Sequence, residues 1–379
     1  MSKYLDAAER LHSFLRGNFW RNDALIGPDN GVGFNRRVGR FVKSNLDFVP
    51  WNDDYYYMQA QGYWVMANWQ LYQLTASEIP AELATRCSYT ILRRQEPAGY
   101  WTYPHPGWAG HIATVEGIFA ALGMLASYER TRDATLLEGA ERWYRFLTER
   151  TGFVEAEGGS AINYFADAPR GLVPNNTTLA LAFLARLAQA TANGRYLEHC
   201  PAMISFLTSV QTESGEFPYS MKDPSGNGRQ RVHYECYQYH AFQLQDLAMY
   251  FDATQDTRVL EPMRRVADFL ALSVQEDGAT QFDCTGRAIR KPYNTAAIAA
   301  ALGIARRLGL RNSLQAENRA YEYVLDQQRS DGGFDYSSRE FGFLADKRDY
   351  PRPMAMILYH LLLKASDTSA QSCQVWRSD

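Results

Sequence analysis

A short pattern of glutamine, then glycine, then an aromatic residue recurs along the chain, each time directly after a run with helical periodicity. Glycine supplies the open backbone geometry of a helix exit, and the aromatic residue after it can pack back on the helices just ended. Repetition of one such corner predicts a repeat architecture made of helical hairpins. The copies are VLDQQRSDGGFDY at 324–336, QTESGEF at 211–217, QEPAGYW at 95–101 and, more loosely, QEDGATQF at 275–282.

Helical segments of two kinds alternate around these corners. The first kind begins with polar or aromatic residues and continues with small apolar residues, whereas the second kind carries charge on one face. A first-kind segment at 353–364 has no successor and a second-kind segment at 4–16 has no predecessor, so we expect these two to pair. The pattern therefore predicts an all-α fold, an (α/α)6 toroid of six helical hairpins, with the first kind inside and with closure by the N- and C-terminal helices. The other predicted pairs are 55–72 with 81–94, 111–129 with 136–149, 177–191 with 196–211, 234–251 with 258–274, and 295–308 with 314–328.

The hairpins predict a single domain. They occupy most of the 379 residues, and we expect residues 1–366 to form one α/α toroid domain. Residues 17–50 are rich in glycine and asparagine, which predicts a long ordered loop with a short strand pair. Residues 367–379 are polar, which favours a disordered tail.

Charge and hydropathy argue against several classes of partner. The 39 basic and 42 acidic residues provide no broad electrostatic field for nucleic acid. No stretch approaches the roughly 18 apolar residues of a transmembrane helix, and the first residues lack the apolar core of a signal peptide, so we expect a soluble, cytoplasmic protein. The five cysteines are scattered and form no CxxC pair, which fits reduced thiols. The oligomeric state stays open.

Every first-kind segment begins with polar or aromatic residues that an apolar helix does not require. In a parallel inner ring these beginnings meet at one mouth, where six helix N-termini favour an anion. Basic residues lie at or just before four of the six beginnings: Arg170, Arg231, Arg290, Lys291, Arg348 and Arg352. We therefore predict a pocket for a negatively charged small molecule. Its predicted binding residues are Tyr55, Tyr57, Gln59, Trp108, His111, Glu116, Asn175, Asn176, Arg231, Tyr237, His240, Tyr293, Asn294, Tyr350 and Arg352.

The glutamine and aromatic corners resemble those of the terpenoid cyclase and protein prenyltransferase toroids. In class II cyclases, an inner helix opens with proline and an Asp-x-Asp-Asp element whose middle aspartate protonates the substrate. Residues 50–54, PWNDD, stand at the corresponding helix start, so the resemblance implies Asp53 as the acid and Asp54 as its neighbour. The prenyltransferases bind zinc through Asp, Cys and His. Here Asp283 and Cys284 are adjacent and His360 lies three turns inside its helix, so we expect no metal and no other cofactor.

A second resemblance is to the N-acylglucosamine 2-epimerase and sugar isomerase group, which are also six-hairpin toroids. It is carried by FWRNDALIGPDNGVGFNRR at 19–37 and DYYYMQAQGYWVMANWQLY at 54–72. The group has a His-x-Pro-Arg entry at its last inner helix, where this chain has DYPR at 349–352. The resemblance implies Asp349 or Glu235 as a base acting on a sugar carbon, with His233 at the position of a second catalytic histidine.

Three functions stay open at this stage, and the four recurring corners favour the first. The first is a cyclase-like enzyme that acts on an isoprenoid by acid-initiated cyclisation. The second is an epimerase, isomerase, lyase or hydrolase acting on an anionic sugar, and the third is a toroid that binds without catalysis. The catalytic candidates are Asp53, Asp54, Glu235, His233 and Asp349. A deep aromatic cavity would favour an isoprenoid, and a cavity rich in hydrogen-bonding groups would favour a sugar.

Overall fold

The computed structural model describes residues 2–30, 38–46, 54–104, 106–108, 110–156, 158–168, 171–341 and 344–375. Most of these residues are helical. The helices are α1 Lys3–Asn18, α2 Val38–Asn45, α3 Met58–Thr75, α4 Glu78–Arg93, α5 Thr114–Thr131, α6 Ala134–Phe146, α7 Pro174–Thr191, α8 Cys200–Val210, α9 Cys236–Thr254, α10 Leu260–Ala271, α11 Pro292–Arg307, α12 Leu314–Asp326 and α13 Pro351–Val375. The strands form antiparallel pairs: β1 Trp20–Arg21 with β2 Ala24–Leu25, β3 Phe153–Ala156 with β4 Gly159–Ile162, and β5 Ser337–Phe341 with β6 Leu344–Asp346.

The larger helices form two concentric rings. Helices α3, α5, α7, α9, α11 and α13 contact one another in this order, and α13 contacts α3, which closes the inner ring. Each inner helix packs against one outer helix, in the pairs α3–α4, α5–α6, α7–α8, α9–α10, α11–α12 and α13–α1. The predicted (α/α)6 toroid and its closure by the two terminal helices are therefore confirmed.

Small residues on the inner helices permit the close packing of this ring. A Cβ atom at Gly62 of α3 would lie 2.5 Å from the carbonyl oxygen of Phe119 in α5. A Cβ atom at Gly117 of α5 would lie 2.3 Å from the ring of Trp143 in α6. Both contacts are far too short for any side chain larger than hydrogen, so glycine sets the separation of these helices.

The side chain of the repeated glutamine joins neighbouring hairpins. Its Nε2 atom donates both to the glycine carbonyl of its own corner and to a backbone carbonyl of the next outer helix. One amide group thus links a corner to the neighbouring outer helix, and the two bonds fix how closely the corner approaches that helix. The bonds are Gln95 to Gly99 and Gly139 at 3.0 and 2.9 Å, Gln211 to Gly215 and Pro262 at 2.9 and 3.1 Å, and Gln328 to Gly332 and Ala7 at 3.0 and 2.9 Å.

The repeated glycine is required for two reasons. Its φ angle is +99° at Gly99, +90° at Gly215, +83° at Gly278 and +90° at Gly332, a region that L-residues rarely adopt. A Cβ atom at any of them would also lie 2.2 to 2.6 Å from an arginine carbonyl of the next outer helix. The aromatic residue that follows packs back as expected, since Trp101 Nε1 donates to the Ile91 carbonyl of α4 at 3.0 Å.

Four segments outside the predicted helical pairs differ from the sequence expectations. Residues 17–50 contain the strand pair β1–β2, as expected, but also the helix α2, which is too short for its periodicity to register. Helix α13 continues to Val375, so most of the segment predicted as a disordered tail is helical. The hairpins β3–β4 and β5–β6 were not predicted. None of the described helices combines the length and apolar character that crossing a bilayer requires.

Candidate active site

A cavity of about 760 Å³ lies where the inner helices begin. Residues at or before the starts of α3, α5, α9, α11 and α13 form most of its wall, and the segments after β2 and after β4 also contribute. The described residues that line it are Asp29, Asn30, Tyr57, Tyr103, Trp108, Tyr164, Phe165, Tyr219, Arg231, Tyr234, Glu235, Tyr239, Phe282, Arg287, Ile289, Lys291, Tyr293, Tyr336, Glu340 and Arg352. We call this space the mouth cavity.

A buried lysine stands between two carboxylates in the wall of the mouth cavity. Lys291 Nζ lies 4.0 Å from Glu235 Oε1 and 3.8 Å from Glu340 Oε2. The lysine is only 5% exposed, and its ammonium lies 4.6 Å from the ring centre of Phe282 and 4.9 Å from that of Tyr336. An ammonium held this way has little water around it, so its charge is balanced by the two glutamates and by the faces of the rings.

The backbone of Glu235 adopts an unusual conformation. It precedes α9 with φ 42° and ψ 38°, in the left-handed region that residues other than glycine rarely occupy. This conformation costs free energy of order 1 kcal/mol and persists only where surrounding contacts impose it. Such strain is concentrated at functional sites, so Glu235 stands out among the acidic residues of the cavity.

Arg352 lines the mouth cavity, but its charge is already paired. Its guanidinium binds the buried Asp29 through two hydrogen bonds of 2.7 and 3.0 Å, and a third of 2.7 Å reaches Gln59 Oε1. The guanidinium also lies 4.9 Å from the ring centre of Tyr57. The prediction that Arg352 holds the anion is therefore weakened, because Asp29 neutralises it, and Gln59 binds Arg352 instead of a ligand.

Arg231 differs from the other arginines of the mouth cavity. Its guanidinium stacks 3.9 Å from the ring centre of Tyr234, and among the described residues no carboxylate forms an ion pair with it. Arg287, by contrast, is paired with Asp283 at 3.0 Å. Arg231 is thus the guanidinium best placed to receive an anionic group from a ligand.

Aromatic side chains cover much of the remaining wall. Trp108 stacks on Phe165 with ring centres 5.2 Å apart. The hydroxyl of Tyr57 is buried and has no hydrogen-bond partner among the described residues, whereas the Tyr293 hydroxyl donates to Gln238 Oε1 at 3.2 Å. An aromatic surface with a hydroxyl left unpaired suits a ligand that offers both apolar faces and hydrogen-bonding groups.

Two of the predicted catalytic carboxylates lie away from this cavity. Asp54 forms an exposed ion pair with Arg21 at 2.8 Å. Asp349 forms an ion pair with Arg329 at 2.8 Å, beside the last glutamine corner, and burial raises the pKa of its carboxyl group while Arg329 opposes the rise. Both carboxylates form ion pairs with neighbouring arginines and neither lines the mouth cavity, so neither is placed to act on a ligand there. Asp53 lies outside the described residues.

The predicted histidines do not line the mouth cavity either. His233 Nδ1 faces Glu216 Oε1 at 3.0 Å, and His233 is not among the residues that line the cavity. His240 accepts the backbone N–H of Phe217 at Nε2, over 2.5 Å, and burial lowers its pKa to about 4, so it is a neutral structural residue. His111 Nδ1 bonds to Asp167 at 2.9 Å.

Glu116 links the starts of two helices beside the mouth cavity. Its Oε2 atom accepts the backbone N–H of Met58, the first residue of α3, at 2.6 Å. Burial raises the pKa of this carboxyl group to about 7, and the bond to Met58 opposes the rise. Glu116 therefore ties the start of α3 to α5, and it positions the wall instead of contacting a ligand.

The other predicted binding residues take part in packing around the mouth cavity. Each of them has a backbone or side-chain contact within the protein, and none of them lines the mouth cavity. The backbone of Tyr55 pairs with that of Gly27, and Asn176 Nδ2 donates to the Asn163 carbonyl. The Tyr237 ring stacks on Phe269, and the Tyr350 hydroxyl donates to Asp346. Asn175 and Asn294 lie in the first turns of α7 and α11.

Sequence reasoning missed several members of the site. Glu340 lies in the hairpin β5–β6, which was not predicted, and Asp29 lies in a loop whose return to α13 no local pattern reveals. Lys291 was noted as a basic residue at a helix start but was not assigned to the site. Residues 337–340, SSRE, are all polar and do not alternate with apolar residues, so the sequence carries no strand signal at Glu340.

Comparison with known proteins identifies the fold. No family model and no curated protein matches the sequence. Similar solved structures include a cellobiose 2-epimerase from Bacillus thermoamylovorans B4167, with a TM-score of 0.71, 13% identity and coverage of 96% of this chain and 100% of that one. An inactive variant of the α-1,6-mannanase GH76A of Salegentibacter sp. HEL1_6, in complex with α-1,6-mannotriose, has a TM-score of 0.70 at 13% identity, covering 96% and 99%. A possible GH105 family member from Salmonella enterica has a TM-score of 0.69 at 14% identity, covering 96% and 95%.

These structures are (α/α)6 toroids of carbohydrate-active enzymes. At such low identity the likeness shows the fold alone. It supports the weaker resemblance, to the sugar epimerase group, and not the resemblance to the terpenoid cyclases. The corners that carried the cyclase resemblance have a structural cause, since they join successive outer helices.

Proposed function

We propose that this chain is a carbohydrate-active enzyme that acts on a small, negatively charged saccharide in the mouth cavity. The observation that carries the proposal is the cluster of Glu235, Lys291 and Glu340, in which two carboxylates surround one buried ammonium. A cavity that holds such a cluster has groups able to bind and release protons beside a ligand.

The spacing of the two carboxylates suits chemistry at a sugar. Both Glu235 Oε1 and Glu340 Oε2 lie within 4.0 Å of the same Nζ atom of Lys291, so the two oxygens are at most about 7.8 Å apart, the sum of the two distances. Retaining glycosidases place their carboxyl groups about 5–5.5 Å apart, and inverting ones about 6.5–9.5 Å apart. The upper limit of about 7.8 Å is compatible with either arrangement and does not select between them.

The lining also favours a sugar over an isoprenoid. A hydrocarbon in the mouth cavity would remove water from Lys291, Glu235 and Glu340 without offering them hydrogen bonds, which is costly. Sugar hydroxyls can bond to these groups, while the faces of Trp108 and the tyrosines contact the apolar face of a sugar ring. Arg231 supplies a cation for a carboxylate or phosphate on the substrate.

Proton transfer is assigned to the glutamates and not to histidine. Among the described residues that line the mouth cavity there is no histidine, so the histidine pair implied by the epimerase resemblance is not present there. Glu235 and Glu340 are the groups that would give or take a proton, and Lys291 would hold them and stabilise negative charge that develops on the sugar.

The test is product analysis with the purified full-length chain. It would be incubated with matched neutral and uronic-acid oligosaccharides, and with their phosphorylated forms. Reducing-end release reports hydrolysis, ultraviolet absorbance of an unsaturated product reports elimination, and proton NMR reports epimerisation. We expect one of these reactions with an anionic substrate. Binding without any turnover, or turnover of neutral sugars only, would contradict the proposal.

A further inference from the structure

We propose that Glu216, His233, Cys236 and Cys284 form a zinc-binding site beside the mouth cavity. The four side chains come from three separate connections of the toroid. Glu216 lies in the corner after α8, His233 and Cys236 lie at the start of α9, and Cys284 lies in the loop before α11. None of the four lines the mouth cavity, so this cluster is a distinct site.

Three of the four donor atoms already lie within the dimensions of a metal site, since those of Glu216, His233 and Cys284 are all within 4.8 Å of one another. His233 Nδ1 is 3.0 Å from Glu216 Oε1 and 3.1 Å from Cys284 Sγ. Cys284 Sγ is 3.2 Å from Cys236 Sγ and 3.9 Å from Glu216 Oε1. In tetrahedral zinc sites with bonds of about 2.0–2.3 Å, neighbouring ligand atoms are about 3.3–3.8 Å apart, so Glu216, His233 and Cys284 need only small movements to bind an ion. Cys236 lies beside Cys284 and must turn its thiol toward the other two side chains to complete the shell.

The chemistry of the donors selects the metal. Two thiols with one imidazole and one carboxylate form a mixed set of sulfur, nitrogen and oxygen ligands that suits zinc, whereas magnesium and calcium require oxygen alone. Four protein ligands fill a tetrahedral shell, which is typical of a structural site. The pair His233 and Cys236 is separated by two residues, a common spacing for ligands that share one ion.

Burial raises the pKa of the Cys236 and Cys284 thiols, so a metal ion must displace their protons, and individual contacts at the site assist this. The backbone N–H of Cys284 donates to Cys236 Sγ at 3.2 Å, and such a bond stabilises a thiolate. Glu216 is only 2% exposed, and a carboxylate removed from water in this way needs a positive partner. Cys284 and His233 are exposed, which gives an ion a path of entry.

Zinc at this site would also act on the backbone beside the mouth cavity. His233 and Cys236 flank Glu235, whose backbone is in the left-handed region. An ion bound to both neighbours would hold the chain in this conformation and keep the Glu235 carboxylate in the cavity. The expectation of no metal considered Asp283 and His360 as partners of Cys284, and the structure gives Cys284 other neighbours.

Metal content of the full-length chain tests the site without any assay of activity. The protein would be saturated with zinc under reducing conditions, dialysed, and measured by elemental mass spectrometry, and cobalt(II) would replace zinc for absorption spectra. We expect one ion per chain, with thiolate charge-transfer bands and the intense ligand-field bands of a tetrahedral site. Since this readout does not depend on turnover, failure of the saccharide proposal would leave it intact.

Substitutions assign the ligands. Cys236→Ser and Cys284→Ser are each expected to weaken zinc binding by roughly 10–100-fold or more and to reduce the thiolate bands. Cys87→Ser is the matched control, because Cys87 is buried beside Gln61 and belongs to no such cluster, so its zinc content should equal that of the wild type. The proposal would be overturned if the wild-type protein retained no more zinc than a double variant that combines Cys236→Ser with Cys284→Ser. So would a Cys236–Cys284 disulfide in the zinc-treated protein, or a cobalt spectrum without thiolate bands.

Discussion

Lys291 Nζ lies 3.8 Å from Oε2 of Glu340, and this contact joins the start of α11 to a hairpin about fifty residues further along the chain. Both side chains are almost fully buried. Glu235 approaches the same ammonium from the start of α9. A buried positive charge thus holds together three connections of the ring, at the place where we assign the chemistry.

Removal of the lysine charge is expected to destabilise the protein and abolish turnover. Lys291→Met takes away the ammonium that Glu235 and Glu340 share, and the loss of one partner from a buried ion pair costs about 3 kcal/mol. The free energy of unfolding, measured by urea denaturation, should fall accordingly. The double variant Lys291→Met with Glu340→Gln should recover part of the loss, because it also removes one of the two carboxylates that faced the lost ammonium. A double variant no more stable than the single one would contradict this account.

Arg231 is expected to set the preference for anionic substrates. Arg231→Gln should lower kcat/KM for a negatively charged saccharide by roughly 10–100-fold, the worth of one charge-assisted contact, and change it little for the neutral analogue. Arg229→Gln is the matched control, since Arg229 lies two residues away and is exposed. Equal losses for charged and neutral substrates would show that Arg231 only shapes the wall.

The glycine of each corner is expected to be irreplaceable. Gly215→Ala places a Cβ atom 2.2 Å from the Arg265 carbonyl oxygen at a φ of +90°, and it should lower the free energy of unfolding by about 3 kcal/mol. Gly17→Ala in α1 meets nothing within 4 Å and should be neutral or stabilising by up to about 1 kcal/mol. Urea denaturation of both variants measures the difference in their free energies of unfolding. Equal changes in the two variants would contradict the prediction.

Stability is expected to depend on pH through a buried aspartate at the other end of the ring. Asp246 lines a second cavity and accepts a hydrogen bond from Thr178, and burial raises its pKa to about 8, from 3.8. The folded chain therefore holds this proton more tightly than the unfolded chain does. The resulting stability is complete below about pH 4 and is lost as the pH rises through about 8.

Replacement of this carboxyl group isolates its effect. Asp246→Asn should flatten the fall in the free energy of unfolding between about pH 4 and pH 8, measured by urea denaturation across that range. Asp326→Asn, at an exposed position near the end of α12, should leave the slope unchanged. An unaltered slope in the Asp246 variant would show that the carboxylate is charged in the folded chain.

The fold could be predicted because its rules are local. The corner at Gln328 needs a glutamine amide, a glycine of positive φ and an aromatic residue within a few positions, and each of these is visible in the sequence. The pairing of α1 with α13 followed from counting unpaired segments. Helix α2 and the two later hairpins were not predicted because each is too short to show a clear periodicity.

The site could be predicted only in part. Tyr57, Trp108, Arg231, Glu235 and Tyr293 were selected because they stand at helix starts, and the ring brings all of them to the mouth cavity. Position at a helix start does not tell which way a side chain points, so other residues chosen by the same rule pack elsewhere. Partners far apart in sequence were equally hidden: Asp29 neutralises Arg352 and Arg329 binds Asp349.

The measurement that tests the central claim most directly is turnover of an anionic saccharide by Glu235→Gln. Loss of an acid–base group should lower kcat by about 10²–10⁴-fold while the fold and substrate binding persist. Glu213→Gln, an exposed glutamate in the corner after α8, and Asp349→Asn should keep nearly full turnover. Wild-type rates from Glu235→Gln, or loss of turnover in Asp349→Asn alone, would place the chemistry outside the cluster around Lys291.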